Sequence, residues 1–296
     1  MIKKILITTW LVVVFFIPNT SQAVEPSLTL GPGKIEVELI PGGQISKDIF
    51  IVNNLGRESV FDISFEDVEA SPAEEGGVRF LGRLTSRFSL KNYFSVPEQS
   101  FVLAEGEEKT IPVTITLPDQ APVGSLHAAV LVTPRLETVT ASPQTKPRLG
   151  LLVFVKVAGE KQESGFLASL NQGRYVNFGS QAIKFSMLFN NKGNTYLNPY
   201  GLLSIKPLFG GQSKEIVIKP WFVLPQSARQ KIVLAPELKT GIYQAELQLN
   251  RGYENIIDKK TVWFIVLGWL TGLIIGGIII LLIGGLIYRF MIKLKT

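Results

Sequence analysis

The sequence predicts an all-β chain: two tandem antiparallel β-sandwiches followed by a single transmembrane helix. Three observations carry this. Apolar and polar residues alternate with a period of two in segment after segment, turn-forming residues punctuate those segments, and Val262 to Tyr288 runs without a charged residue. Alternation marks half-buried strands, whereas some 20 continuous apolar residues mark a helix crossing a ~30 Å hydrocarbon core.

The first element is a targeting segment. Lys3 and Lys4 precede an apolar run from Ile5 to Ile17, which closes on Pro18-Asn19-Thr20-Ser21-Gln22-Ala23. A basic start, a short apolar centre and small residues at Ser21 and Ala23 make residues 1–23 a cleavable signal peptide, so the mature chain begins at Val24.

The strands come next. Phe61, Ile63 and Phe65 alternate with Asp62, Ser64 and Glu66, and Ile111, Val113, Ile115 and Leu117 alternate with Thr110, Pro112, Thr114 and Thr116. The pattern returns at Ile183, Phe185, Met187 and Phe189, and at Ala245, Leu247 and Leu249. Turns such as Pro41-Gly42-Gly43, Asn53-Asn54-Leu55-Gly56 and Gly210-Gly211 separate them, as in immunoglobulin-like sandwiches. No segment between Val24 and Lys260 shows a helical period.

An internal echo divides the region. Asn53-Asn54 and Asn190-Asn191 each end a strand, and Gly124 and Gly241 each open one. The interval from Asn53 to Gly124 is about twenty residues longer than that from Asn190 to Gly241, which places an insertion in Glu66 to Phe94. The boundaries expected are residues 24–160 for the first sandwich and 161–261 for the second. Arg135 to Arg148, polar and proline-broken, reads either as an interdomain linker or as a long hairpin loop. The strand patterns flanking it favour the hairpin.

The transmembrane helix is expected at residues 262–288, with Trp263 and Tyr288 at its two interfaces and residues 289–296 as a basic cytoplasmic tail. With the signal removed, this makes a single-pass type I protein of the cell membrane, its domains outside the cytoplasm. Gly272 and Gly276 form a GxxxG that would let a second helix approach closely and form a homodimer. Glycine is also common in such helices without that role.

The formal charge is +6, from 30 basic and 24 acidic residues. Lys3, Lys4, Arg289, Lys293 and Lys295 lie in the signal and at the anchor end, and without these five the balance is 25 to 24. The exported part therefore carries no footprint for nucleic acid. Cysteine is absent and His127 is the sole histidine, which excludes thiol nucleophiles, cysteine metal sites and multi-histidine metal sites. No cofactor is expected.

Chemistry-bearing clusters are sparse. Glu66, Asp67, Glu69, Glu74 and Glu75 crowd one loop, but their spacing matches no calcium loop and reads as solvated charge. His127 stands between Leu126 and Ala128 with no serine in a nucleophile motif, so it reads as structural. Trp221-Phe222 and the turn holding Tyr196 and Tyr200 are candidate partner-binding aromatics. Core packing or the junction between the domains is the other reading of all four.

One family fits the order of signals. In the first half come Pro41-Gly42-Gly43, a strand ending in Asn53-Asn54, then Phe101-Val102-Leu103-Ala104-Glu105-Gly106-Glu107-Glu108-Lys109-Thr110, then Leu117-Pro118-Asp119-Gln120-Ala121-Pro122-Val123-Gly124. This resembles the peptidoglycan-binding domain of the WxL-interacting bacterial cell-surface proteins. The second half, with Asn191-Lys192-Gly193-Asn194-Thr195-Tyr196-Leu197-Asn198-Pro199-Tyr200-Gly201, Val223-Leu224-Pro225 and Gly241-Ile242-Tyr243, is similar to the host-binding domain that follows it. The resemblance implies a non-enzymatic envelope scaffold or adhesin with peptidoglycan and a secreted or surface protein as partners. The alternative expectation is an envelope assembly factor or chaperone that pairs an open edge strand with a client. An exported hydrolase would need a converging acid/base site that these residues do not supply.

Overall fold

The computed structural model describes residues 27–71, 77–135, 148–179 and 181–293. The expected signal peptide lies outside these residues, as do Glu74, Glu75 and the tip of the Arg135–Arg148 segment.

Ten strands come from the first half: β1 (Ser27–Gly31), β2 (Lys34–Leu39), β3 (Gln44–Asn54), β4 (Ser59–Ala70), β5 (Val78–Phe80), β6 (Phe94–Ser95), β7 (Ser100–Leu103), β8 (Glu108–Thr116), β9 (Gly124–Arg135) and β10 (Leu149–Val157). One sheet has the order β1-β3-β8-β6, and a second the order β2-β10-β9-β4-β5 with β7 also on β4. Their facing sides enclose Ile49, Ile51, Phe61, Ile111, Val130 and Val153, each at most 2% exposed. These are the apolar members of the alternating segments, and burying each such side chain contributes roughly 1.5–3 kcal/mol.

The second half repeats this course. β11 (Gly165–Asn171), β13 (Ile183–Asn191) and β16 (Ser227–Ala235) make one sheet, while β12 (Val176–Phe178), β18 (Ile257–Leu267), β17 (Gly241–Asn250), β14 (Tyr200–Pro207) and β15 (Lys214–Ile218) make the other, in that order. In both halves the first strand pairs antiparallel with the third, and the second strand runs parallel to the last. The echo in the sequence is thus an echo in chain course. Phe185, Phe189, Leu203, Leu247 and Phe264 fill the second core.

The insertion expected in Glu66 to Phe94 holds β5 and a 3-10 turn at Lys91–Tyr93. Asp67 organises it: the fully buried carboxylate accepts the backbone amides of Ser86, Leu90 and Lys91 at 3.0, 3.1 and 3.2 Å. Arg135 to Arg148 joins β9 to β10, which pair antiparallel, so the segment is a hairpin connection. Arg135 bonds Asp62 and Arg148 bonds Glu66 at its base.

The apolar run from Val262 differs from expectation at both ends. Val262 to Leu267 belong to β18, whose Val262 to Val266 pair with Ala245 to Gly241 of β17, because the run begins with the β-branched and aromatic residues that suit a strand. The helix, α1 (Trp269–Lys293), starts after Gly268 and continues through Arg289 to Lys293 of the expected tail. Among the described residues no helix is long and apolar enough to cross a membrane, so the expected span at 262–288 is not found there. What α1 does show is uncovered aliphatic surface: Leu273, Ile280, Leu281 and Leu286 are each at least 64% exposed.

Candidate functional site

The two halves meet in a buried seam, and its residues come from β9, β10, the turn after β13 and the segment between β15 and β16. Gly124 opens β9 at φ +125°, and a Cβ there would sit 2.4 Å from the carbonyl oxygen of Asn194. That approach lets Ser125 N donate to Asn194 O at 2.9 Å, while Asn194 Nδ2 donates to Val123 O at 3.2 Å. Ser125 Oγ accepts the amide of Tyr196 at 2.9 Å and shares a 2.7 Å hydrogen bond with Thr195 Oγ1.

Beside these bonds lies an apolar cluster drawn from both halves. Phe154, fully buried, packs against Tyr196 at 5.2 Å and Phe222 at 5.1 Å between ring centroids, with Leu224 buried alongside. Phe154 alternates with Val153 and Val155, which face the first core, so β10 is buried on both sides. Two cations close the cluster: Lys156 Nζ lies 4.6 Å from the Tyr196 ring centroid and Arg229 lies 4.0 Å from that of Phe222. Burial, with Glu36 and Glu38 adding to it, holds the Tyr196 phenol protonated by raising its pKa.

His127 borders the same seam, 5.8 Å from the Phe88 ring and 6.4 Å from that of Phe154. It is 1% exposed and its Nδ1 has no hydrogen-bond partner. Burial pushes its pKa down to about 4, with Asp67 and a backbone bond to Val68 opposing more weakly. Its burial thus holds the ring neutral at ordinary pH. A cleft of about 360 Å³ opens next to it, lined by Glu69, Arg87, Phe88, Pro225 and Gln226. Glu69 there is paired with Arg79. Among the described residues no three of the His, Asp and Glu side chains converge as a metal site.

The four aromatics expected to bind a partner do not form one surface. Tyr196 and Phe222 come together in the seam, Trp221 turns into the second core against Phe189 at 6.5 Å, and Tyr200 stands 43% exposed at the start of β14. Trp221, Tyr196 and Phe222 thus pack within the chain, while Tyr200 remains on its surface. Of the glycines expected to pack helices, Gly272 lies beside the ring of Phe178 on β12, and nothing lies within 4 Å of Gly276. Phe154, Ser125 and Thr195 escaped the sequence reading. The signal for Phe154 was the unbroken apolar run Leu151-Leu152-Val153-Phe154-Val155, which marks a strand covered on both faces.

Strand edges decide what else the fold can bind. β16 directs Arg229, Lys231 and Val233 to the side of the sheet that carries buried Phe189, Met187 and Phe185, so charges sit on the inward face of that edge. On β11, the amide of Gly165 bonds Tyr253 Oη at 3.0 Å and that of Leu167 bonds Asp258 at 2.7 Å. β8, left uncovered beyond the two residues that pair with β6, carries Pro112, which lacks a donor. Each is a device that keeps an edge from accepting another strand. β1 has neither proline nor charge.

No protein-family model matches the chain, and no curated protein matches it. Among solved structures, it is similar to the class 5 fimbriae chaperone CfaA, at 12% identity over 81% of this chain and 100% of that one, with a TM-score of 0.40. The E. coli chaperone DraB matches at 14% identity over 81% and 97%, with a TM-score of 0.39. A chain of the CsuC–CsuE chaperone–tip adhesion subunit pre-assembly complex from Acinetobacter baumannii matches at 10% identity over 81% and 99%, with a TM-score of 0.38. Likeness at this level says nothing of what the present chain binds.

Proposed function

We propose that the chain is a non-enzymatic, membrane-associated envelope protein whose two sandwiches act as one rigid arm, offering the first sandwich to a protein partner. The buried seam carries this reading. A hydrogen-bonded, doubly aromatic junction of this kind joins the halves far more firmly than the polar contacts of freely moving domains. The uncovered aliphatic side chains of α1 support seating that helix in lipid. Trp221, Tyr196 and Phe222 are occupied inside the chain and are not free to stack on the sugars of a wall polymer.

A second reading is the assembly factor that takes up a client's extended strand. β1 favours it, as an edge strand with no blocking residue.

One experiment tests both. Photo-crosslinking residues placed at Val102 and Leu84 on the first sandwich, and at Thr29 on β1, are carried by the full chain in its native envelope. A protein trapped from Val102 or Leu84 supports the arm, and one trapped only from Thr29 supports strand uptake. Crosslinks to glycan alone would reject both.

A further inference from the structure

The end of the second sandwich from which α1 departs carries an apolar rim that neither core uses. β18 ends at Leu267, and the next residue, Gly268, donates its amide to Thr240 Oγ1 at 2.8 Å and accepts that of Gly272 at 2.9 Å in the first turn of α1. β12 runs parallel beside β18 and brings Phe178 opposite Leu267, with Gly179 N bonded to Leu267 O at 2.9 Å. Phe178 is 61% exposed and is the side chain nearest Gly272.

The turn between β14 and β15 reaches the same end, because Leu208 N donates to Ile242 O at 2.8 Å. Gly210 and Gly211 take positive φ there, at +55° and +96°, and the tight reversal displays Phe209 at 80% exposure. Behind Phe209 a groove of about 800 Å³ is lined by Pro207, Ile242, Lys214, Glu237 and Lys239, over the core residue Tyr243. A phenylalanine held bare at a turn tip forgoes its burial, so the rim is costly in water.

We propose that this rim rests on the bilayer surface, with Phe209 and Phe178 sunk among the lipid headgroups on either side of α1. The occupant is lipid rather than a second protein because the rim is continuous with α1: a single residue, Gly268, separates β18 from the helix, and Phe178 lies beside the helix's first turn. Leu273 and Ile274 follow Gly272 in the first turns of α1. Both side chains are more than 60% exposed. Aromatic rings favour that depth of the membrane, where an apolar body meets a polar boundary. The inference rests on the reading that α1 is lodged in lipid, and it adds how the sandwiches stand on the surface.

The chain has no cysteine, so single positions can be labelled cleanly. Full-length F209C, F178C and, as a control on the first sandwich, L84C carry an environment-sensitive nitrobenzoxadiazole fluorophore in phosphatidylethanolamine–phosphatidylglycerol vesicles. Vesicle flotation is read first, then quenching by lipids spin-labelled near the headgroup. The expected result is co-flotation, with quenching several-fold stronger at positions 209 and 178 than at 84. Co-flotation with position 209 as accessible to water as position 84 overturns the rim and leaves α1's role standing. A blue-shifted label at 209 that lipid quenchers do not reach means protein covers it, which also overturns the rim. Failure to float removes both readings.

Discussion

Ser125 and Thr195 share a 2.7 Å hydrogen bond buried between the two sandwiches, each from a different half of the chain. Neither residue belongs to either apolar core, yet Ser125 Oγ also accepts the amide of Tyr196. Replacing Ser125 by alanine strands two buried polar groups, and a group left unsatisfied in this way costs about 1–3 kcal/mol. S125A should lower the urea midpoint accordingly. S125A/T195V should recover part of the loss, since the second change removes one of the stranded groups. Equal midpoints for the parent and S125A would show that the seam contributes nothing to stability.

The two strand-opening glycines separate packing from turn geometry. At Gly124 an added Cβ collides with the Asn194 carbonyl at 2.4 Å on a backbone with positive φ, while at Gly241 it meets only the Tyr243 ring at 3.3 Å. G124A is expected to spread the distribution of distances between spin labels at L84C and L234C, one on each half, in pulsed EPR. G241A is expected to leave that distribution narrow.

Acid should loosen the molecule through His127. Its pKa in the folded chain is about 4 against an ordinary 6.5, so the unfolded chain binds the proton first as pH falls. Stability from keeping the ring neutral is therefore whole above about pH 6.5 and is lost progressively toward pH 4, by an amount on the order of 3 kcal/mol. Urea midpoints measured across this window should fall less steeply for H127F than for the parent. Parallel slopes would assign acid sensitivity to other groups.

Lys231 stands opposite buried Met187, on the core-facing side of β16. Removing that inward charge with K231V leaves Arg229 as the one charge on the inward face of β16 and opens the rest of the edge to another copy. Sedimentation velocity should show K231V forming dimers or larger species at concentrations where the parent stays monomeric. The exposed-face substitution L234T should not.

The strands were legible because one face of each is wet. Phe61, Ile63, Ile111, Val113, Phe185 and Phe189 alternate in the sequence and lie in cores in the structure. Asn53 and Asn191 were legible as strand-ending signals, but not as buried amides. Asn53 donates to Leu103 O and Ala104 O, and Asn191 to Thr195 O and Val223 O, partners that only the fold brings near. The seam stayed hidden for a related reason: a serine, a threonine and a glycine carry no pattern until Gly124 lies against Asn194. At the other end, hydropathy alone could not divide Val262–Leu267 from α1. Strand and helix are equally apolar there, and pairing with β17 decides between them.

That division has a mechanical consequence. β18 remains paired with β17 up to Val266 opposite Gly241, and α1 begins at Trp269. Between sheet and helix there is no length of chain to act as a swivel, and Gly268 is itself tied to Thr240. A sideways pull on the first sandwich would therefore arrive at the helix as torque, as at the foot of a crank, instead of being absorbed by a slack tether.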